Sequence, residues 1–207
     1  MFSIIQAAGW PVWPLLFCSV VAVALIMERL YSLRALRVAP PQLLDEVLTA
    51  CKNQVPSVET IEKIAQHSVL GELLASGLQL KHQDPHCSEA ALRFQLESTG
   101  RTLAQRLERY LPALATIASA APLLGLLGTV IGMIEIFGAQ TPGSNQPAQL
   151  AHGISVALYN TALGLLIAIP ALIAWRYLRT TVDGYVLTLE LAAERLAQHL
   201  LRLPVKP

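Results

Sequence analysis

Between Arg109 and Arg176 the chain carries no lysine or arginine and one acidic residue, Glu135. Two long apolar runs fill this stretch, broken mainly by glycine, proline and small hydroxyl residues. The loop from Gly138 to His152 joins them and holds no charged residue. Apolar runs of this length are those of membrane-crossing helices, and positive charge collects on the cytoplasmic side of a bilayer. The pattern predicts a helical hairpin through a membrane with its loop on the far side, and it excludes an ordinary soluble fold.

Composition points the same way, with 54% hydrophobic and 14% charged residues. The formal net charge of +1 leaves no basic stripe to neutralise phosphates, so nucleic acid is not expected as a partner. Cys18, Cys51 and Cys87 are scattered and odd in number, which predicts free thiols. The first apolar run, Trp10 to Met27, lacks the basic residues that begin a secretory signal. Its charges follow at Glu28, Arg29, Arg34 and Arg37. It therefore reads as a retained first span with its N-terminus outside, anchored by Trp10 and Trp13.

The expected class is all-α, a polytopic membrane protein with three spans. Residues 1–9 form a periplasmic lead-in, 10–33 the first span, and 34–110 a cytoplasmic helical domain. Residues 111–138 form the second span, 139–151 a periplasmic loop, 152–175 the third span, and 176–207 a cytoplasmic C-terminal helix. The apolar part of the first span covers roughly 27 Å, enough for a bilayer core. Residues 42–110 hold seven basic and nine acidic residues, the mark of a solvated domain. Within it, Leu44, Val47, Leu48 and Cys51 share a helical face, as do Ile61, Ile64, Ala65 and Ser68 after an N-cap at Ser57. Lys81 to Ser88 reads as a loop. The second span is expected to continue from the preceding helix through Pro112, and the third to run on to Leu203.

Two stripes of small residues mark the hairpin. Ala121, Gly125, Gly128, Gly132 and Glu135 share one arc of the second span; Gly153, Ala157, Thr161, Gly164, Ala168 and Ala171 share one arc of the third. Small residues let helix backbones approach closely in lipid. The stripes fit packing within the hairpin, and also subunit contacts or a pore between several chains. Few polar residues sit inside these spans: Ser119, Thr129, Glu135, Ser155, Asn160 and Thr161. A membrane hydroxyl commonly donates to a carbonyl one turn earlier. Glu135 fits either a functional carboxylate at membrane depth or one wetted at the outer interface. His82, Asp84, His86 and Cys87 read as a solvated loop, because Pro85 disrupts any ligand spacing. No catalytic motif is present, so neither enzyme activity nor a cofactor is expected.

Leu114 to Met133 and Gly153 to Ala171 together resemble the MotA/TolQ/ExbB proton-channel family. Three spans with a large loop between the first two are similar to its ExbB and TolQ branch. The resemblance implies a ring, a pentamer in ExbB-like proteins, around a pore formed by the second and third spans. It implies a pair of single-span ExbD- or TolR-like helices in that pore, a TonB-like protein beyond them, and a place in the bacterial inner membrane among its lipids. Thr129 and Thr161 match two pore-lining threonines of the family, with Ser155 and Asn160 as further pore-lining candidates. Glu135 is a possible acidic site, and Gly125, Gly128, Gly132 and Gly164 are the helix-packing candidates. A glutamate typical of the family's third span falls at Val156, which puts a carboxylate from that span in doubt. The implied function is an ExbB-like subunit of a motor that uses the proton-motive force to energise outer-membrane import. TolQ-like work on envelope integrity and a non-conducting scaffold are the alternatives.

Overall fold

A computed structural model describes residues 10–51, 56–138 and 147–202. The lead-in, the middle of the hairpin loop and the last residues, Leu203 included, lie outside the described residues. The described residues form eight helices and no strand. They are α1 (Val12–Ser32), α2 (Ala35–Val38), α3 (Leu43–Ala50), α4 (Val58–His67), α5 (Val69–Gln83), α6 (Glu89–Glu108), α7 (Leu111–Gly138) and α8 (Pro147–Leu201). Three of the helical stretches are long and apolar enough to cross a membrane.

The chain divides into two compact units. The first takes residues 10–28 and 110–177 of the described chain: most of α1, all of α7 and the first part of α8. Its core is thin. Leu15 of α1 meets Ala121 of α7 and Ala168 of α8, with Leu124, Leu163 and Ile167 packed around them. The large apolar side chains point outward instead: Phe17, Val20, Leu123, Ile134, Leu166 and Ile173 are all more than 60% exposed. That inversion suits hydrocarbon as the surrounding medium.

The second unit, residues 29–109 and 178–202, is built in the opposite sense. Helix α5 lies at its centre and buries Leu70, Leu73, Leu74, Ala75, Leu78 and Lys81. Side chains of Leu96 from α6 and Leu196 from α8 converge on Gly77, where an added Cβ would stand 2.9 and 3.3 Å from their methyl groups. Ser68 and Ser88 start α5 and α6 by accepting hydrogen bonds from the amides of Gly71 and Ala91, at 3.0 and 3.2 Å. Ion pairs close the outside, with Arg93 bridging to Glu194 and Glu89, Arg106 to Glu72 and Arg179 to Glu108. Arg29 is buried and donates to the Leu107 carbonyl at 3.2 Å. Tyr185 donates to the Leu33 carbonyl at 2.9 Å.

Several boundaries differ from the expectation. Helices α6 and α7 are separate, because the chain turns at Arg109 and Tyr110, where Tyr110 has φ 70. An unbroken helix would need an amide hydrogen at Pro112 to reach the Glu108 carbonyl, and the proline ring would clash there. Lys81, His82 and Gln83 belong to the last turn of α5 rather than to a loop. Lys81 stays helical because its stem packs in the core while Nζ donates to the Pro85 carbonyl at 2.7 Å. Helix α8 begins at Pro147 rather than at 152. Ser57 does stand before α4, but its hydroxyl pairs with that of Thr60 at 3.0 Å instead of capping an amide. Cys51 and Cys87 are buried free thiols, and burial pushes the Cys51 thiol up to about 11.

Candidate functional site in the membrane hairpin

The seam between α7 and α8 is where the two small-residue stripes meet. A Cβ at Gly125 would stand 2.8 Å from the Asn160 carbonyl oxygen and 3.1 Å from Thr161 Cα. A Cβ at Gly164 would stand 2.6 Å from the Ala121 carbonyl oxygen and 3.2 Å from Gly125 Cα. These neighbours are backbone atoms, so only glycine permits the approach. Gly132 faces Ala157 more loosely, at 3.4 Å, and Gly153 faces the Ile136 side chain.

Asn160 is 2% exposed and packs against Gly128, where an added Cβ would come within 2.9 Å of the carboxamide nitrogen. The sequence sets Asn160 among the pore-lining candidates; its side chain lies in the hairpin seam. Thr129 and Thr161 are half-buried beside the same seam. The Thr129 hydroxyl donates to the Leu126 carbonyl at 2.7 Å, and that of Ser155 to the Ala151 carbonyl at 2.9 Å. Thr116 and Ser119 do likewise toward the start of α7, at 2.9 and 3.0 Å. A hydroxyl that donates inward to its own helix keeps lone pairs to accept from outside.

The glycine contacts also set the register. Thr161 faces Gly125, one turn along α7 from Thr129, so the two threonines are staggered by roughly 6 Å. Toward the loop, Gly132 is opposite Ala157 and Ile136 is opposite Gly153. Glu135 is exposed and falls level with Ile154, about 3 Å along the hairpin from the backbone of Val156. The side chains of His152 and Val156 lie outside the described residues. No cluster of His, Cys, Asp or Glu that could hold a metal occurs among the described residues.

A hairpin of this kind, sealed by glycine and edged by hydroxyls, has close counterparts among known sequences. The model of the MotA/TolQ/ExbB proton channel family matches residues 65–191, the greater part of the chain. This chain belongs to that family. Among its relatives is the biopolymer transport protein exbB1 of Vibrio cholerae, 36% identical over 190 residues, or 89% of this chain and 82% of the relative. The putative biopolymer transport protein ExbB-like 1 of Synechocystis is 34% identical over 174 residues, 82% of this chain and 67% of its own. The Tol-Pal system protein TolQ of Haemophilus influenzae is 36% identical over 110 residues, 51% of this chain and 48% of its own. The MotA/TolQ/ExbB family consists of transport and channel proteins, and its model spans both hairpin helices and most of the helical unit. Sequence reasoning found the two stripes. It missed that Asn160 sits within them, for which the signal was its spacing, three residues after Ala157 and four before Gly164.

Proposed function

We propose that the chain is an ExbB-like subunit of an inner-membrane motor driven by the proton-motive force, energising outer-membrane import. The observation that carries this reading is the 36% identity to the Vibrio cholerae exbB1 protein over 89% of the chain, hairpin included. About five copies form a ring, with the N-terminus periplasmic and the C-terminus cytoplasmic. The ring encloses a pair of ExbD- or TolR-like single spans that couple to a TonB-like protein. One hairpin encloses no conduit, and its outward apolar faces call for neighbours or lipid.

In this arrangement Thr129, Thr161 and Ser155 edge the pore. The hydroxyls of Thr129 and Ser155 donate to their own helices and offer lone pairs to water or a hydrated proton, which favours cations over anions. Asn160 acts from the seam, holding the α7–α8 spacing that sets the pore radius. Glu135 supplies negative charge near the level where the family glutamate is replaced by Val156. A reading as a TolQ-like subunit rests on the 47% identity to the TolQ of Pseudomonas aeruginosa over 72 residues.

The test is complementation. Co-expressed with ExbD-like and TonB-like partners, the chain should restore protonophore-sensitive uptake in cells lacking their own ExbB. Thr129→Val with Thr161→Val should abolish uptake while leaving the ring mass unchanged. Normal uptake by the double variant, or a monomeric mass in native membrane extracts, overturns the pore reading. Rescue of envelope integrity without uptake would move the assignment to the TolQ-like role.

A further inference from the structure

The C-terminal end of α1 carries a cluster used neither by the fold nor by the proposed motor. Tyr31 lies in the last turn of α1, and Arg34 and Arg37 flank it through the short helix α2. The Arg37 guanidinium carbon stands 4.1 Å from the centre of the Tyr31 ring, and that of Arg34 stands 5.1 Å away. Arg37 also donates to the Tyr31 hydroxyl at 2.7 Å. Two like charges are thus gathered on one aromatic ring, each attracted to the ring and repelled by the other. Lys63, Arg93, Arg101, Arg106 and Arg179 of this unit pair with carboxylates. Arg195 and Arg202 form no ion pair among the described residues, but no aromatic ring there gathers them together. Neither Arg34 nor Arg37 forms an ion pair among the described residues.

The surroundings narrow which anion such a pair would take. Leu30 and Leu36 are 47% and 76% exposed beside the arginines, and the cluster closes a helix able to cross a membrane. A water-borne phosphate has no use for exposed leucines. A phospholipid matches both parts, with its phosphate on the guanidinium forks and its chains along the leucines. A zwitterionic headgroup would bring a cation of its own against the two arginines. We propose that Tyr31, Arg34 and Arg37 seat the headgroup phosphate of an anionic phospholipid such as phosphatidylglycerol. The proposal does not depend on the motor reading.

Native mass spectrometry of the purified full-length chain, offered equal phosphatidylglycerol and phosphatidylcholine of matched acyl length, tests it. The parent protein should retain mainly phosphatidylglycerol. Arg34→Gln and Arg37→Gln should each lower the phosphatidylglycerol-to-phosphatidylcholine ratio about fivefold, and the pair further. Arg34→Lys with Arg37→Lys keeps the charge but loses the planar forks, so it should retain an intermediate ratio even if the glutamine pair fails to fold. Lys63→Gln with Arg101→Gln removes the same charge elsewhere and should change nothing. An unchanged ratio in both double variants at 34 and 37 overturns the proposal, as does an equal fall in the distant control. Complete release of phosphatidylglycerol by millimolar inorganic phosphate also overturns it, because the site would then be one for free anions.

Discussion

The two units of this chain hold their helices together by opposite means. In the membrane unit backbones touch through Gly125 and Gly164, Gly128 takes the Asn160 side chain, and many bulky side chains turn outward. In the second unit leucines of α5, α6 and α8 fill the middle, and ion pairs ring the outside. The difference follows from the solvent. Lipid gives leucine no reason to turn inward, so contact between helices must come from close van der Waals approach. Water drives leucine inward, so contact comes from burial of apolar area. Leu123 and Leu166 therefore lie on the outside of one unit, whereas Leu74 and Leu78 fill the inside of the other.

The contrast breaks most sharply at Gly164. Gly164→Leu would push a side chain into the Ala121 carbonyl, which is backbone and cannot give way. The cost should exceed the roughly 1–3 kcal/mol usual for overpacking, and the hairpin should be lost. Leucine at Gly184, where an added Cβ meets nothing within 4 Å, should leave the folded yield and melting temperature in detergent nearly intact. Equal yields of the two variants would show that the seam is not the contact that holds the hairpin. Leu78→Ala comes next in size. It should cost about 2–5 kcal/mol by leaving a cavity at the centre of the second unit, read as a lower melting midpoint.

The smallest effect belongs to the ion pairs. Arg93, by hydrogen bond and charge, and then Gln198 hold Glu194 below its ordinary carboxylate range. A depressed folded pKa contributes stability above the unfolded value and loses it as pH falls through the folded one. Both groups are exposed, so the contribution is modest and screened by salt. Glu194→Gln should therefore lower the melting temperature slightly at neutral pH and not at all below the carboxylate range. A difference that persists in strong acid would mean that the glutamate acts through packing instead.

The spans and the seam were legible because each leaves a one-dimensional trace. The gap in basic residues from 110 to 175 marks the hairpin, and glycine and alanine recur at helical spacing along it. The break at Tyr110 was written in Pro112, whose effect falls on a carbonyl four residues earlier rather than on itself. Helix α5 left a trace of a different kind. Glu72, Ser76, Gln79 and Gln83 recur at helical spacing along one narrow face, while Leu70, Leu73, Leu74, Ala75, Gly77 and Leu78 cover the rest, so the apolar side is broad and its polar stripe thin. Lys81, a charged residue at its buried end, suggested a loop, although its stem is core and only its amine seeks a partner. The place of Asn160 was written in its spacing from Ala157 and Gly164, but polarity in a membrane span points to a pore as readily as to a seam.

Gly128 and Asn160 occupy what is in effect one volume, since the carboxamide stands where a side chain at residue 128 would have to go. Neither position is then free to drift alone. Any enlargement at 128 must arrive with a smaller residue at 160, and an alanine at 160 would open room that only a larger residue at 128 could refill. Across sequences descended from a common hairpin, the two sites are expected to change as a pair, one gaining atoms as the other loses them. Such linked exchange would be the inherited trace of a contact that a single sequence keeps hidden.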